Sequence, residues 1–247
     1  MIDLIRSLAF TIPLIAFVTL LMGTLSYFTA FFDPDGNRQH RLAQVWARMV
    51  LAISGVRVIV EGLENLEPGF NYVFASNHVS YMDTPVIIAS IPAQFRFMAK
   101  HGLFKIPVMG GHLKRGGHLP VVRDDPRASL RSMAEAATTI SKKQISVLLF
   151  PEGGRSVDGF LQPFREGAGY IAIKAGVPAV PVGLVGTRQV LPMHGKTIRG
   201  TDVFLRIGTP IPTASLTLKD RSALTDQLRS EVARLVGESV PQPQEAS

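Results

Sequence analysis

NYVFASNHVSYMDTPV, residues 71–86, is the stretch whose reading decides the fold. Tyr72–Ala75 is short, apolar and rich in β-formers, the pattern of a buried strand. Asp83 and Pro85 then open a helix, with the carboxylate at its first turn. A strand that passes into a helix through a short polar loop is the building unit of an α/β sheet, and ligands gather where such strands end. The loop itself carries His78. An imidazole with its ordinary pKa of about 6.5 is largely neutral at pH 7 and can take a proton. Asp83 is close enough in sequence to fix the tautomer and stabilise the imidazolium. On these two residues alone, a histidine satisfied within its turn and a helix-capping aspartate is the plainer reading.

Outward from this unit the alternation continues. β-rich runs at Val56–Glu61, Phe95–Ala99, Leu119–Arg123, Val147–Phe150, Ala179–Leu184 and Val203–Ile207 are separated by helical stretches. With Tyr72–Ala75 they predict an α/β fold, a mixed central sheet of about seven strands flanked by helices. Asp125-Pro126 is an N-cap followed by proline at the first helical position, and Lys219–Val236 is an amphipathic last helix. Residues 55–239 are read as this domain and residues 240–247 as a frayed tail.

Other strand ends also deliver polar groups. LLFPEGGRS (Leu148–Ser156) offers Glu152, Gly153, Gly154 and Arg155. Glycines let backbone amides approach a ligand, and a guanidinium forks onto phosphate. Lys100 follows FRFMA, Arg123 closes LPVVR, and Arg165 precedes a glycine-rich helix start. Each alone is ordinarily a solvated surface charge; recurring at several strand ends, they can converge on one anion. Gly167–Ala172 mimics a dinucleotide fingerprint but follows Pro163-Phe164-Arg165-Glu166 rather than a strand. There is no G-x-S-x-G elbow and no H-E-x-x-H, and His40, His101, His112, His118 and His194 lack metal-ligand spacing, so no metal is expected.

Composition narrows the classes. The chain has 247 residues, 46% hydrophobic and 18% charged, which excludes a disordered chain. A mean hydropathy of +0.22 with a net charge of +7 suits anionic lipid, a phosphorylated substrate or nucleic acid. The absence of cysteine removes disulfides, cysteine-zinc sites and thiol nucleophiles. Leu8–Phe32 carries no charge; as a helix it would run roughly 37 Å, against about 30 Å for a bilayer core. A signal peptide or a soluble core helix are the rivals to membrane association. After the Asp33–Gly36 turn, Leu42, Val45, Trp46, Met49, Val50 and Ile53 recur at helical spacing. They mark an amphipathic helix with Trp46 at headgroup level, or an ordinary helix covering the core. Residues 1–54 are therefore read as a membrane-associated helix pair. Arg6 on one side of the apolar run, and Arg38, Arg41 and Arg48 on the other, favour a re-entrant hairpin over a single span.

Four blocks in order carry a resemblance: N-H-x-S-x-x-D at Asn77–Asp83, a strand ending in Arg123, F-P-E-G-x-R-S at Phe150–Ser156, and V-P-x-V-P-V at Val177–Val182. Over about Val56–Pro210 the chain resembles the glycerolipid acyltransferase family, nearest to its bacterial members that acylate 1-acyl-sn-glycerol-3-phosphate. The resemblance implies an O-acyltransferase of phospholipid biosynthesis. It would move an acyl chain from acyl-CoA or acyl carrier protein to the sn-2 hydroxyl of lysophosphatidic acid, giving phosphatidic acid. His78 would be the general base and Asp83 its partner. Arg123, Glu152 and Arg155 match acceptor-binding positions, joined as substrate-binding residues by Lys100, Gly153 and Arg165. Val177–Pro181 would serve donor binding or structure. No cofactor beyond the thioester co-substrate and no nucleic acid are implied, and the location is the cytoplasmic face of the bacterial inner membrane. One departure stands out: Gly154 replaces the family's usual threonine, which removes a hydroxyl donor and leaves room for another acceptor such as a lyso-ornithine lipid. A non-catalytic membrane module binding anionic lipid, and a hydrolase activating water at His78, are the readings from other classes. The His78–Asp83 pair counts against the first, and the second would need no lipid acceptor.

Overall fold

The computed structural model describes residues 2–33, 35–107, 109–122 and 125–238; the expected tail thus lies outside the described residues. Seven strands form: β1 (Arg57–Glu61), β2 (Val73–Ser76), β3 (Phe95–Lys100), β4 (Leu119–Val121), β5 (Ser146–Leu149), β6 (Ala179–Val185) and β7 (Asp202–Ile207). Their order is β1-β7-β6-β2-β5-β3-β4. Every neighbouring pair is parallel except β6 and β7. The carboxyl ends of β2 to β6 therefore share one edge of the sheet. The four residues of β2 and of β5 are all buried, as in parallel strands covered on both faces.

The chain begins with α1 (Ile2–Arg6), a π-turn (Ser7–Thr11), α2 (Ile12–Thr29) and a 3-10 turn (Ala30–Phe32), which run together as one rod. A turn leads into α3 (Asn37–Ser54), whose first amides, from Asn37, Arg38 and Gln39, all donate to the Asp33 carboxylate. On one face of the sheet, α3 and α4 (Asp83–Ser90) pack over Phe74, Leu148 and Leu205. On the other, α6 (Pro126–Lys143), α7 (Gly167–Ala175) and α9 (Arg221–Val236) cover Val73, Val147 and Ala179. Two short helices, α5 (Met109–Arg115) and α8 (Thr187–Val190), fill crossovers.

The helix pair is part of this body. Ala47, Val50 and Leu51 of α3 are core residues. Trp46, expected at headgroup level, is half-buried and donates its indole N–H to Thr19 of α2 at 3.0 Å. The rod is long and apolar enough to cross a membrane, yet its most apolar window is only 11% buried. Both its ends are tied to the sheet unit. At one end Ile198 N–H donates to Ser7 Oγ at 2.9 Å, and Arg6 donates to Ile198 O at 3.1 Å. At the other, Ser26 Oγ bonds His112 Nδ1 at 2.7 Å, and the Arg115 guanidinium lies over the Tyr27 and Phe31 rings.

The hairpin turn is held by Arg96, a buried guanidinium in β3 that donates to Phe95 O at 3.1 Å and Asp35 O at 2.5 Å. Around it sit the imidazoles of buried His40 and half-buried His112 and His118. Burial pushes all three pKa values down and the Arg96 charge adds to the shift; His40 falls to about 4. The fold thus holds His40 neutral, whereas the unfolded chain protonates it near 6.5. Its stabilising contribution is full above pH 6.5 and is lost as pH falls towards 4, on the order of 2 kcal/mol by pH 5. His40→Gln should therefore lose less stability than wild type between pH 6.5 and 4.5 in denaturant titrations; parallel losses would show that His40 is not held neutral.

Candidate active site

Three loops meet at the carboxyl edge of the sheet. The first follows β2. Asn77 extends that strand with its side chain: Nδ2 donates to Leu184 O at 3.0 Å and Oδ1 accepts Leu184 N–H at 2.8 Å, a rung of the β2–β6 ladder made by an amide. His78 comes next, just past the last rung. Its ring stacks on Phe150 at 3.8 Å and 11°. Its Nδ1 lies 2.7 Å from Asp83 Oδ2. The same oxygen accepts the N–H groups of Val79 and Ser80 at 2.8 and 2.9 Å. Asp83 is fully buried and opens α4, where the helix dipole favours a carboxylate. The chain between His78 and Asp83 is therefore wrapped around one acceptor.

The second loop follows β5. Glu152 Oε1 accepts the backbone N–H of His78 at 2.6 Å and Oε2 accepts that of Gln162 at 3.1 Å. Both oxygens, expected to bind substrate, are engaged by backbone that fixes His78 and closes the 156–162 turn. Ser156 N–H returns a bond to His78 O at 2.8 Å. Gly153 takes φ +80, and a Cβ there would lie 2.9 Å from Arg165 Nε, so Arg165 lies directly over this turn. A Cβ on Gly154 would meet nothing within 4 Å, so the turn is open there. Arg155 Nε donates to Ser80 O at 3.1 Å, and its guanidinium stacks on the Tyr81 ring at 4.3 Å. Burial draws its pKa down from the ordinary arginine value, yet arginine stays cationic. Its plane is fixed between a carbonyl and an aromatic face.

The third loop follows β6. Ser80 Oγ donates to Leu191 O at 2.7 Å, and Ser80 pairs with Pro192 as an isolated bridge. Ser80 thus joins all three loops.

His78, Asp83, Glu152, Gly153, Arg155 and Arg165 are thus brought into one connected set. Lys100 is exposed at the carboxyl end of β3, on the same edge, two strands from β2. Arg123 lies outside the described residues. Val177–Pro181 leads into the buried amino end of β6, opposite the His78 edge, where Pro178 O accepts from Val73 N–H and Pro181 O from Gly208 N–H. No metal cluster exists among the described residues. Tyr81 and Gln162 went unread in the sequence. Tyr81 stands inside the motif, while Gln162 acts through its backbone and leaves no trace in residue type.

The model of the family described as Acyltransferase matches residues 57–185. The chain is 35% identical over 216 residues to 1-acyl-sn-glycerol-3-phosphate acyltransferase BAT2, chloroplastic, of Brassica napus, covering 86% of this chain and 60% of that protein. It is 36% identical over 184 residues to the chloroplastic LPAT1 acyltransferase of Arabidopsis thaliana, covering 74% and 51%. A 1-acyl-sn-glycerol-3-phosphate acyltransferase of Borreliella burgdorferi is 28% identical over 201 residues, covering 78% and 79%. The chain thus spans little more than half the length of the two plant relatives. The crystal structure of the 1-acyl-sn-glycerophosphate acyltransferase PlsC from Thermotoga maritima superposes with a TM-score of 0.76 at 26% identity, covering 97% of this chain and all of that one.

Burial raises the Glu152 pKa to about 7 despite its two backbone bonds, which pull the other way. A raised carboxylate pKa means that ionisation costs the fold stability, lost as pH climbs from about 4.5 through 7. Glutamine keeps one acceptor oxygen but turns an NH2 towards the second backbone N–H, so Glu152→Gln loses a bond while escaping ionisation. Its stability relative to wild type should therefore rise by roughly 2–3 kcal/mol between pH 4.5 and pH 8. Urea titrations at the two pH values check this; an unchanged difference contradicts it.

Proposed function

The chain belongs to the acyltransferase family, and on that premise we propose that it transfers an acyl chain from a thioester to the sn-2 hydroxyl of 1-acyl-sn-glycerol-3-phosphate, forming phosphatidic acid. The observation that carries this reading is the His78–Asp83 pair held in the same hydrogen-bonded loop set as Arg155. With Nδ1 bound to the carboxylate, Nε2 is the nitrogen suited to the acceptor hydroxyl. As it takes the proton, the alkoxide oxygen attacks the thioester carbonyl. The new C–O ester bond forms, the C–S bond breaks, and the thiolate leaves and recovers a proton from the imidazolium. Thiolate is a good leaving group, so no acyl-enzyme is needed. Asp83 offsets the transient charge. Arg155, stacked and oriented by Tyr81 and Ser80, can fork onto the acceptor phosphate, with Arg165 beside it. Holding the hydroxyl within about 3–3.5 Å of the carbonyl supplies much of the rate. The open turn at Gly154 supports a second reading, in which a different lysolipid is the acceptor.

The donors, acyl-CoA or acyl carrier protein thioesters, are cytosolic, so the reading places the enzyme at the cytoplasmic face of the bacterial inner membrane. The exposed apolar side of the rod Ile2–Phe32 suits docking to that bilayer. Its bonds to the sheet unit at both ends favour a rod lying in the interface over one that spans.

Acyl-transfer assays over a panel of lysolipids, with both donors, test the proposal. His78→Ala should fold and lose about 10²–10⁴-fold in turnover; near-normal turnover would sink the mechanism. Arg155→Ala should raise KM for lysophosphatidic acid far more than for the donor. Arg155→Lys should restore little, because an ammonium cannot make the bidentate fork. Unchanged acceptor kinetics in Arg155→Ala would remove Arg155 from phosphate binding.

A further inference from the structure

A cavity of about 500 Å³ lies where the start of the apolar rod meets the end of α3 and the segment before β7. Its polar lining comes from Asp3, Arg6, Thr11, Ser54 and Arg199. It belongs to the edge that carries His78, because β7 runs antiparallel to β6 and starts where β6 ends. The catalytic loop set does not enter it. The mechanism uses none of its residues.

Its chemistry is specific. Arg199 is exposed, and its guanidinium has no ion pair or hydrogen bond among the described residues. Arg6 is steadied by Ile198 O at 3.1 Å and faces Asp3 at 3.6 Å. Two guanidiniums against one carboxylate leave one positive charge, the complement of a phosphodiester. The negative groups have a use of their own. Asp3 and the last carbonyls of α3 attract hydrogen-bond donors. Ser54 Oγ is buried and has no partner among the described residues. Ile2, Ile5 and Leu8, on the outer side of the same helix, are 82%, 58% and 51% exposed, an apolar track leading away from the polar cavity.

We propose that this cavity is a headgroup site for a bilayer phospholipid, separate from the catalytic Arg155. The phosphodiester sits between Arg6 and Arg199, a headgroup bearing hydroxyl or ammonium donors points to Asp3 and the α3 terminus, and the acyl chains follow Ile2, Ile5 and Leu8. The site also touches the catalytic frame. Arg199 N–H donates to Val190 O at 3.0 Å, and the adjoining Leu191 O accepts from Ser80 Oγ at 2.7 Å.

The test uses the full chain in detergent micelles and reads its melting temperature, so it does not depend on the acyl-transfer reading. Added dioctanoyl phosphatidylglycerol should raise the melting temperature more than dioctanoyl phosphatidylcholine, whose head has no donors. Glycerol phosphate alone should give no comparable rise. Arg199→Gln should raise the lipid concentration needed by about tenfold or more, the usual size for a lost hydrogen bond to a charged group. Arg48→Gln removes the same charge from an exposed site on α3 and should change nothing; Arg155→Gln should keep the response. Equal responses to the two lipids, equal effects of Arg199→Gln and Arg48→Gln, or loss of the response in Arg155→Gln would overturn the site. A matching rise from glycerol phosphate would assign it to a soluble phosphate and overturn the lipid.

Discussion

One oxygen atom, Asp83 Oδ2, organises the loop-bearing edge of the sheet. It accepts the His78 ring nitrogen and the Val79 and Ser80 amides, all within 2.9 Å. Bonds to a buried carboxylate are roughly twice as strong as neutral ones, and leaving the oxygen without them would strand a buried charge. The consequences spread outward. The imidazole can face only one way. The loop can take only one path, which puts Ser80 O under Arg155 and Ser80 Oγ against Leu191. The spacing from His78 to Asp83 is thus a geometric requirement: Asp83 begins a helix while its carboxylate caps the loop that precedes it.

The parallel topology does the rest of the gathering. Because β2, β5 and β6 are parallel neighbours, their carboxyl ends deliver three loops side by side. Asn77 prolongs the ladder by one side-chain rung, so His78 stands on a rigid stem. Glu152 is the costly element. It holds two backbone amides in a place where burial pushes its own ionisation up to about 7. Only a carboxyl group offers acceptors to both amides, so the cost of its ionisation comes with the placement of His78. Functional sites are where such local costs collect.

Much of the fold was legible, for identifiable reasons. All seven strands were readable as β-branched and apolar runs between turn signals. Ends differed by a residue or two, as with Leu119–Arg123, whose strand stops at Val121. His78, Asp83 and Arg155 were legible only through the ordered blocks that carry the resemblance, since each alone has a plainer use as turn residue, helix cap or surface charge. Glu152 was legible as a residue but not in its contacts, since its partners are backbone amides whose positions depend on the folded path. Arg96 and the histidines around it were invisible as a cluster: they come from β3, α3 and α5 and the segment before β4, brought together only by the docking of the hairpin. Trp46 has the amphipathic signature of a headgroup residue, but its indole bonds the neighbouring helix. A stripe records which face is apolar, not what covers it.

The same docking decides how the amino-terminal helices join the body. A detachable tether would share no core with the body it carries. Here α3 gives Ala47, Val50 and Leu51 to the core beneath the sheet, and Arg96 holds the turn before α3 from within β3. The rod's outer side is bare, and its inner side meets the body along its length: through Arg6 and Ser7 at one end, Ile12, Ile15 and the Thr19–Trp46 bond in the middle, and Ser26, Tyr27 and Phe31 at the other. At one end Ser7 bonds Ile198, and the 190–199 segment is in turn held by Ser80, so a short chain of hydrogen bonds and peptide links joins the rod to the loop around Asp83.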